Sequence, residues 1–470
     1  MTTTARPRTN WAGNITFGAP DFRCPASLAE LRAVVGHARQ VRVLGTGHSF
    51  NDMADSPGVQ VSLAGLPPEV EVDSAASLVR VTAGLSYAGL AGELDRRGFA
   101  LRNLASLPHI SVAGACATGT HGSGPANQNL SAAVTGLELV TADGDIVELN
   151  RGDDAFGGAV VHLGALGAVT RLILEVVPSF QVSQRVYEGL PLDVLDDHFA
   201  VIMASGYSVS MFTDWRAPRL TQLWIKSLAE NGTPEIEGEP WFRATPAPAA
   251  RNPVPGLPAD NATAQLGEPG PWFERLPHFR PDFTPSAGDE LQSEYLIPAE
   301  HAVPALHALR QVGEQLAAVL RVGEVRTIAA DELWMSTAYR RDSVGFHFTW
   351  IPDTAAVLPV VTLIERQLAP FAPRPHWGKI FTTPTAELYA RPNHPYTAAL
   401  IEEVPRIDAR HRTYVPIRGE IPSPLAPPSG CHFHPRCPHA FERCRAEVPA
   451  LREIAPGRLS ACHLNDIPRS

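Results

Sequence analysis

Positive charge is scarce in this sequence. Its 470 residues hold 39 Lys and Arg against 49 Asp and Glu, a net charge of −10. A nucleic-acid binder would present a basic face, so nucleic acid is excluded as a partner. Long apolar runs are missing too. The nearest approach, 159–177, is interrupted by His162 and Arg171 and is rich in glycine. It falls short of the ~20 apolar residues a membrane span needs and reads as a pair of buried strands and a turn. The opening MTTTARPRTN has no apolar signal core, which places the chain in the cytoplasm. Cysteine is sparse, six in all, and four of them crowd the final 40 residues. In a reducing compartment such a cluster points to a metal or an iron–sulfur group before disulfides. Neither G-x-G-x-x-G opening a helix nor G-x-x-x-x-G-K-[ST] occurs. A Rossmann site, a P-loop and ATP hydrolysis are therefore excluded.

What is present is an ordinary globular composition, 44% hydrophobic and 19% charged, long enough for about two to three domains. The first 180 or so residues alternate short strands with helices, an α+β pattern. Ser27 and Glu30 form a capping box before a helix face of Leu28, Leu31, Val34, Val35 and Ala38. Strands are expected at Val41–Leu44, Leu78–Val81 and Val169–Val176, and a helix near Tyr87–Arg97. Asp143-Gly144 marks a hairpin between Leu137–Val140 and Ile146–Leu149.

Beyond about residue 183, strands at Ser208–Phe212, Gln222–Ile225 and Phe346–Ile351 accompany helices at Ala302–Leu320 and Ala355–Leu368. That pattern suggests a sheet covered by helices. Residues 233–288 are rich in Pro and Gly but carry Trp241 and Trp272. Aromatics need burial, so this is an ordered loop rather than a linker. Composition changes again near 384, giving segments 1–182, 183–383 and 384–470.

Three glycine-rich segments share one property. They are Leu44 to Phe50 (LGTGHSF), Ser111 to Gly124 (SVAGACATGTHGSG) and Gly164 to Gly167 (GALG). Small residues in series let backbone N–H groups approach an anion such as a pyrophosphate. Three such segments in one domain point to phosphate binding.

NWAGNITF, VRVLGTGHSFN, NLASLPHISVAGACATGTHGSG, GALGAVT and PHWGKIFT resemble the bacterial alditol (xylitol) oxidases, which belong with the aldonolactone oxidases to the vanillyl-alcohol-oxidase group of flavoproteins. The resemblance covers residues 8 to 383. It implies a two-subdomain, PCMH-type FAD-binding domain followed by a substrate (cap) domain with an antiparallel sheet covered by helices. It also implies oxidation of a primary hydroxyl of a sugar alcohol, with oxygen reduced to hydrogen peroxide. His48 stands where the family's histidine carries FAD covalently. Gly45, Thr46, Gly47, Ser49, Ser106, Ser111, Gly114, Thr118, Gly119, His121, Gly122, Gly164 and Val169 fall at flavin-neighbour positions. An aldonolactone substrate is the alternative within the family.

A polyol offers hydroxyls and no charge, so its site needs several donors and acceptors and a group to draw off the hydroxyl proton. Glu324 and Arg326 lie two apart on a strand and share a face, as do His347 and Thr349. Lys379 follows in HWGK. The resemblance implies that these five and Ser106 contact substrate. Arg326 and Lys379 would hold the terminal hydroxyl, Glu324, His347 and Thr349 its neighbours, with Ser106 near the reacting carbon.

The end of the chain departs from that family. HPYTAAL, GEIPSP, GCHFHPRCPHA and ACHL resemble the C-terminal extension of the ATPase subunits of oligopeptide and dipeptide ABC transporters. The chain thus reads as a fusion ending in a small, irregular, Cys-rich tail. Cys431, Cys437, Cys444 and Cys462 could hold zinc or a [4Fe–4S] cluster, with His434 and His463 as alternative ligands. Two further readings stand beside the oxidase: a non-catalytic fusion product, and a cluster-bearing protein with transporter partners.

Overall fold

The structure is a computed structural model and describes residues 7–231, 241–283, 289–383, 428–431, 433–450, 452–455 and 458–466. The chain divides into two compact units, 1–382 and 383–470.

In the first unit Ser27 caps its helix as expected, while Glu30 reaches back one residue further than the capping box requires. Ser27 Oγ accepts from the Glu30 N–H at 3.2 Å, and Glu30 Oε2 accepts from the Ala26 N–H at 2.9 Å. The helix they start runs Leu28–His37 and buries Leu31 and Val35. A three-stranded parallel sheet places Val59–Ser62 between Asp21–Arg23 and Val41–Leu44. A five-stranded antiparallel sheet follows in the order Val70–Asp73, Leu78–Thr82, Ala168–Glu175, Val134–Val140, Ile146–Asn150. Leu90 and Leu94, on the helix Tyr87–Arg96, join Val79, Val81, Leu172 and Leu174 in one core. The stretch 159–177 supplies one strand of this sheet, not two. It begins at the end of the short helix Phe156–Ala159 and loops before Ala168.

A nine-stranded antiparallel sheet carries the rest. Its six long strands run in the order Gln181–Glu188, Gln222–Leu228, Ser208–Thr213, Leu320–Ile328, Ser343–Trp350, Leu291–Pro298. Alternate residues point to opposite faces of a strand. Met211, Leu223, Val325, Phe346 and Phe348 therefore face one side. There they share a core with Leu195 and Ile202, Leu306 and Leu309, and Val357 and Val361, from three helices. The other side is free for polar side chains.

The single helix expected over 302–320 is two, Ala302–Arg310 and Gly313–Ala317. The chain breaks helical geometry at Val312 (φ −110°, ψ 18°). Gly313 then passes so close to Trp215 that a Cβ would lie 2.3 Å from its carbonyl oxygen. The described part of the expected ordered loop, 241–283, is built of turns and two-residue strands, and Trp272 within it is fully buried.

In the second unit, the described residues form a helix at Glu442–Ala446, a hairpin of Arg452–Ala455 with Arg458–Ser460, and single turns at His434–Arg436 and His463–Asp466. HPYTAAL and GEIPSP lie outside the described residues. Among the described residues no helix is long and apolar enough to cross a membrane.

Candidate active site

A cleft in the first unit, about 270 Å³ in volume, gathers almost every residue singled out from the sequence for cofactor or substrate. Gly45, Thr46, Gly47, His48 and Ser49 line it from the loop after Val41–Leu44. Ser106, Ser111, Gly114, Thr118 and His121 line it, as do Gly164 and Val169. Gly119 and Gly122 do not. Gly119 turns the chain at φ +65°, and the bare Cα of Gly122 lets the Leu104 carbonyl oxygen approach to 2.3 Å of where a Cβ would sit.

Ser111 starts the short helix Val112–Ala117. A Cβ on either Gly45 or Gly114 would stand 2.6 Å from Ser111 Oγ. The two glycine segments thus meet with backbone exposed, which is what binding an extended anion requires.

His48 is clamped between two rings, Trp11 with centroids 4.7 Å apart and His109 at 4.4 Å. Its Nδ1 is buried and has no hydrogen-bond partner. Burial, and then His109, pull its pKa down to about 3. A neutral imidazole with an unpartnered ring nitrogen, buried beside a cleft, can act as a nucleophile in the tautomer that leaves that nitrogen unprotonated.

The predicted substrate side chains project from the open face of the large sheet. Glu294, His347 and Glu324 stand directly opposite one another on three adjacent strands and form one row. Gln292 and Thr349 form the next. Arg326 lies on the same strand face as Glu324. Lys379 comes from the segment after Arg374–Pro375, pinned by Ile380 N–H to the Gln292 carbonyl at 2.9 Å. Ser106 Oγ is 3.5 Å from Arg326 Nη1. All six predicted residues line the cleft.

Glu294 was not foreseen, yet it is the electrostatic centre of the site. Its Oε1 accepts from Arg326 Nη2 at 2.6 Å and its Oε2 from Lys379 Nζ at 2.6 Å. His121 Nε2 lies 3.2 Å from Oε1, outside hydrogen-bonding geometry. Burial opposes ionisation of Glu294, but Arg326 and Lys379 outweigh it and hold the carboxyl well below its usual range. Burial also lowers the Lys379 ammonium, with Glu294 opposing. His347 falls to about 3 through burial and Lys379, and its Nε2 is buried without a partner.

Glu294, His121 and His376 bring their ligand atoms within 4.8 Å of one another, the only such trio among the described residues. A divalent cation there would face two fixed positive charges already bonded to both carboxylate oxygens. The group is better matched to anchoring Arg326 and Lys379 than to a metal.

Two more buried residues were missed. His278 Nε2 is 2.8 Å from Glu324 Oε1, and Lys226 Nζ is 3.1 Å from His278 Nδ1. A lysine inside the apolar strand QLWIKSL was the readable signal. His278 sits in a loop with no periodic pattern.

In the tail, Cys431 N–H donates to the Cys444 carbonyl at 2.8 Å. Burial, then neighbouring sulfurs among other groups, push the Cys437 and Cys462 thiols up. The backbone N–H groups of His439 and Leu464 bond those two sulfurs. All four cysteines are unpaired, and no three of their sulfurs lie within 4.8 Å of one another. His463 Nε2 is engaged with the Glu447 carbonyl and His434 Nδ1 with that of Cys431.

Comparison with known proteins gives three family matches: an FAD binding domain over 21–150, D-arabinono-1,4-lactone oxidase over 289–399, and the oligopeptide/dipeptide transporter C-terminal region over 382–444. An alditol oxidase of Streptomyces sp. is 53% identical over 386 residues, covering 82% of this chain and 91% of that protein. An L-gulono-1,4-lactone dehydrogenase of Mycobacterium tuberculosis is 31% identical over 79% of this chain and 89% of its own length. A probable peptide ABC transporter ATP-binding protein of Sinorhizobium fredii is 58% identical over 83 residues, 17% of this chain and 24% of that protein. Cholesterol oxidase from B. sterolicum shares the fold, with a TM-score of 0.63 at 13% identity over 79% of this chain and 86% of that one.

Proposed function

The chain belongs to the alditol oxidase family, and on that premise we propose how its own residues perform the reaction, the oxidation of a primary hydroxyl of a sugar alcohol to the aldose. The observation that carries the reading is the meeting, in one cleft, of His48 with its unpartnered Nδ1 and of the Arg326–Lys379–Glu294 cluster.

The glycine segments around Ser111 would hold the pyrophosphate of FAD, and His48 Nδ1 would carry the flavin covalently. Bound FAD supplies the hydride acceptor and then reduces oxygen to hydrogen peroxide. Arg326 and Lys379 bind the terminal hydroxyl. Their positive charge, held in place by Glu294, favours departure of the hydroxyl proton as the hydride leaves. Glu324, His347 and Thr349 take the neighbouring hydroxyls, with neutral His347 offering the lone pair or proton of its free Nε2. Ser106 Oγ, beside Arg326, borders the reacting carbon. We keep the divisions 1–182, 183–383 and 384–470 as FAD-binding, cap and tail segments, and the cytoplasm as the compartment, which suits six unpaired cysteines.

A lactone remains the second reading, favoured by the lactone-oxidase match over 289–399. For the tail, we propose that Cys431, Cys437, Cys444 and Cys462 close around zinc or a [4Fe–4S] cluster.

The test is direct. Purified protein is expected to show flavin absorption, to keep it in the pellet after acid precipitation, and to consume oxygen when given xylitol or sorbitol. Colourless protein, or yellow protein inert toward every alditol, would overturn the reading.

A further inference from the structure

Glu324 is bonded to a chain of buried groups that the scheme above leaves unused. Lys226, 1% exposed in the strand Gln222–Leu228, turns its ammonium to three acceptors: the Leu276 carbonyl, the Pro277 carbonyl at 3.1 Å and His278 Nδ1 at 3.1 Å. Burial lowers the Lys226 amine to about 7, with Glu324 opposing, and charged or neutral it has N–H protons to donate. Glu324, held ionised chiefly by Arg326, can only accept, which puts the imidazole proton on Nε2 and leaves Nδ1 to accept from Lys226. The Nε2 N–H donates to Glu324 Oε1 at 2.8 Å. The backbone seats His278 as well, since its N–H and that of Phe279 both point to the Ser106 carbonyl, at 3.2 and 3.3 Å.

The consequence falls on the free half of Glu324. Oε1 is taken by His278, with Arg326 Nε at 3.6 Å. Oε2 has His347 Nδ1 at 3.9 Å, beyond hydrogen-bonding range. Glu324 therefore presents one ionised oxygen to the cleft, able to accept and unable to donate.

We propose that Lys226 and His278 are positioning residues that lock Glu324 as a pure acceptor, and that this lock selects a substrate presenting a hydroxyl donor there. A polyol meets that demand. An aldonolactone or aldose that turns a carbonyl or ring oxygen to Glu324 offers only lone pairs, and a buried carboxylate facing lone pairs is left unpaired. The inference rests on the reading of Glu324 as a substrate-binding residue.

The experiment compares wild-type holoenzyme with His278→Phe, His278→Gln and Lys226→Met, using xylitol, its monodeoxy analogues and L-gulono-1,4-lactone. In the wild type, deleting the hydroxyl that meets Glu324 is expected to lower kcat/KM at least tenfold. In His278→Phe and Lys226→Met, flavin absorption persists and kcat for xylitol stays within threefold. The KM for xylitol rises tenfold or more, and the deoxy penalty shrinks toward one. His278→Gln, which keeps an N–H donor, restores part of the penalty. An undiminished penalty in both disruptive variants overturns the proposal. So does an equal fall of kcat for every substrate, the mark of a merely structural role. Where His278→Phe binds no flavin, Lys226→Met gives the same readout with the imidazole in place. Wild-type protein that oxidises the lactone and no alditol would instead sink the activity reading itself.

Discussion

The side-chain amide of Asn51 donates to the backbone carbonyl of Lys379 at 3.1 Å and to that of Trp377 at 2.8 Å. Next to it, the Phe50 N–H donates to the Gly378 carbonyl at 2.8 Å. The loop that bears His48 and the segment that bears Lys379 are thus one mechanical piece, although more than 300 residues separate them in sequence. In the proposed roles of His48 and Lys379, cofactor and substrate groups would share a reference frame, as a reaction sensitive to small displacements requires.

Asn51→Ala removes two of those three ties. Each such bond contributes about 1 kcal/mol, and 1.4 kcal/mol is about tenfold. Turnover is expected to fall by about tenfold or more while His48 keeps the flavin. Steady-state kcat alongside the absorbance of the acid pellet measures both. Unchanged kcat would mean that Lys379 holds its place without Asn51.

Glu294→Gln leaves Arg326 and Lys379 buried side by side without their shared counter-charge. Removing one partner of a buried ion pair typically costs about 3–5 kcal/mol. The variant should melt earlier and turn over far more slowly, by a hundredfold or more, because its two cations repel one another out of position. Thermal unfolding and kcat measured on the same preparation check this. Wild-type values in both would deny Glu294 its central place.

Acid should loosen the protein before its carboxylates protonate. His48 and His347 are lowered to about 3 and His278 to about 4, in each case first by burial. Their ordinary value is 6.5. Between about 6.5 and about 4 the unfolded chain binds protons on these imidazoles that the folded chain refuses. Unfolding therefore takes up protons, and stability drops as pH falls through this window. Urea titrations at pH 7.5, 6 and 5 should show a falling midpoint. A flat profile would indicate that these imidazoles are charged in the fold.

How much of this was legible beforehand follows from which physics acts locally. The glycine loops were readable because small residues in series mark a close approach of backbone, and His48 was readable through the resemblance its motif carries. Glu324 and Arg326, and His347 and Thr349, were readable as sharing a strand face because polar residues recur every second position in otherwise apolar strands, and the resemblance turned that face toward the cleft. Glu294 obeys the same alternation in LQSEYLIP, but its importance arises only when Leu291–Pro298 is registered against Ser343–Trp350. That pairing is long-range and leaves no mark in either segment. His278 belongs to a loop fixed by Lys226 and Ser106, so nothing periodic announces it. The break at Val312 was hidden for a related reason, since it answers to the distant Trp215 backbone.

Gly122→Ala tests how tightly the second glycine segment is packed. Its Cβ would fall 2.3 Å from the Leu104 carbonyl oxygen and 2.2 Å from Asn103 Oδ1. Asn103 also spends its amide on the Gln128 carbonyl, so neither neighbour yields cheaply. A cost of about 1–3 kcal/mol or more is expected for overpacking of this kind. The melting temperature should fall. A variant as stable as wild type would show that this backbone can shift.

The tail and the oxidase should be separable by metal. Every residue lining the cleft lies between 17 and 379, within the first compact unit. The four clustered cysteines all lie in the second. Thiols bind metal only after losing their protons, and the upward shifts of Cys437 and Cys462 make the metal-free cluster a weak nucleophile. Zinc or a cluster would reverse that. Cys444→Ser is therefore expected to remove zinc or iron, read by elemental analysis, while kcat for xylitol and flavin content stay within twofold of wild type. Metal-free wild-type protein would dispose of the tail site. A loss of turnover on Cys444→Ser would show that the grafted segment has become part of the enzyme.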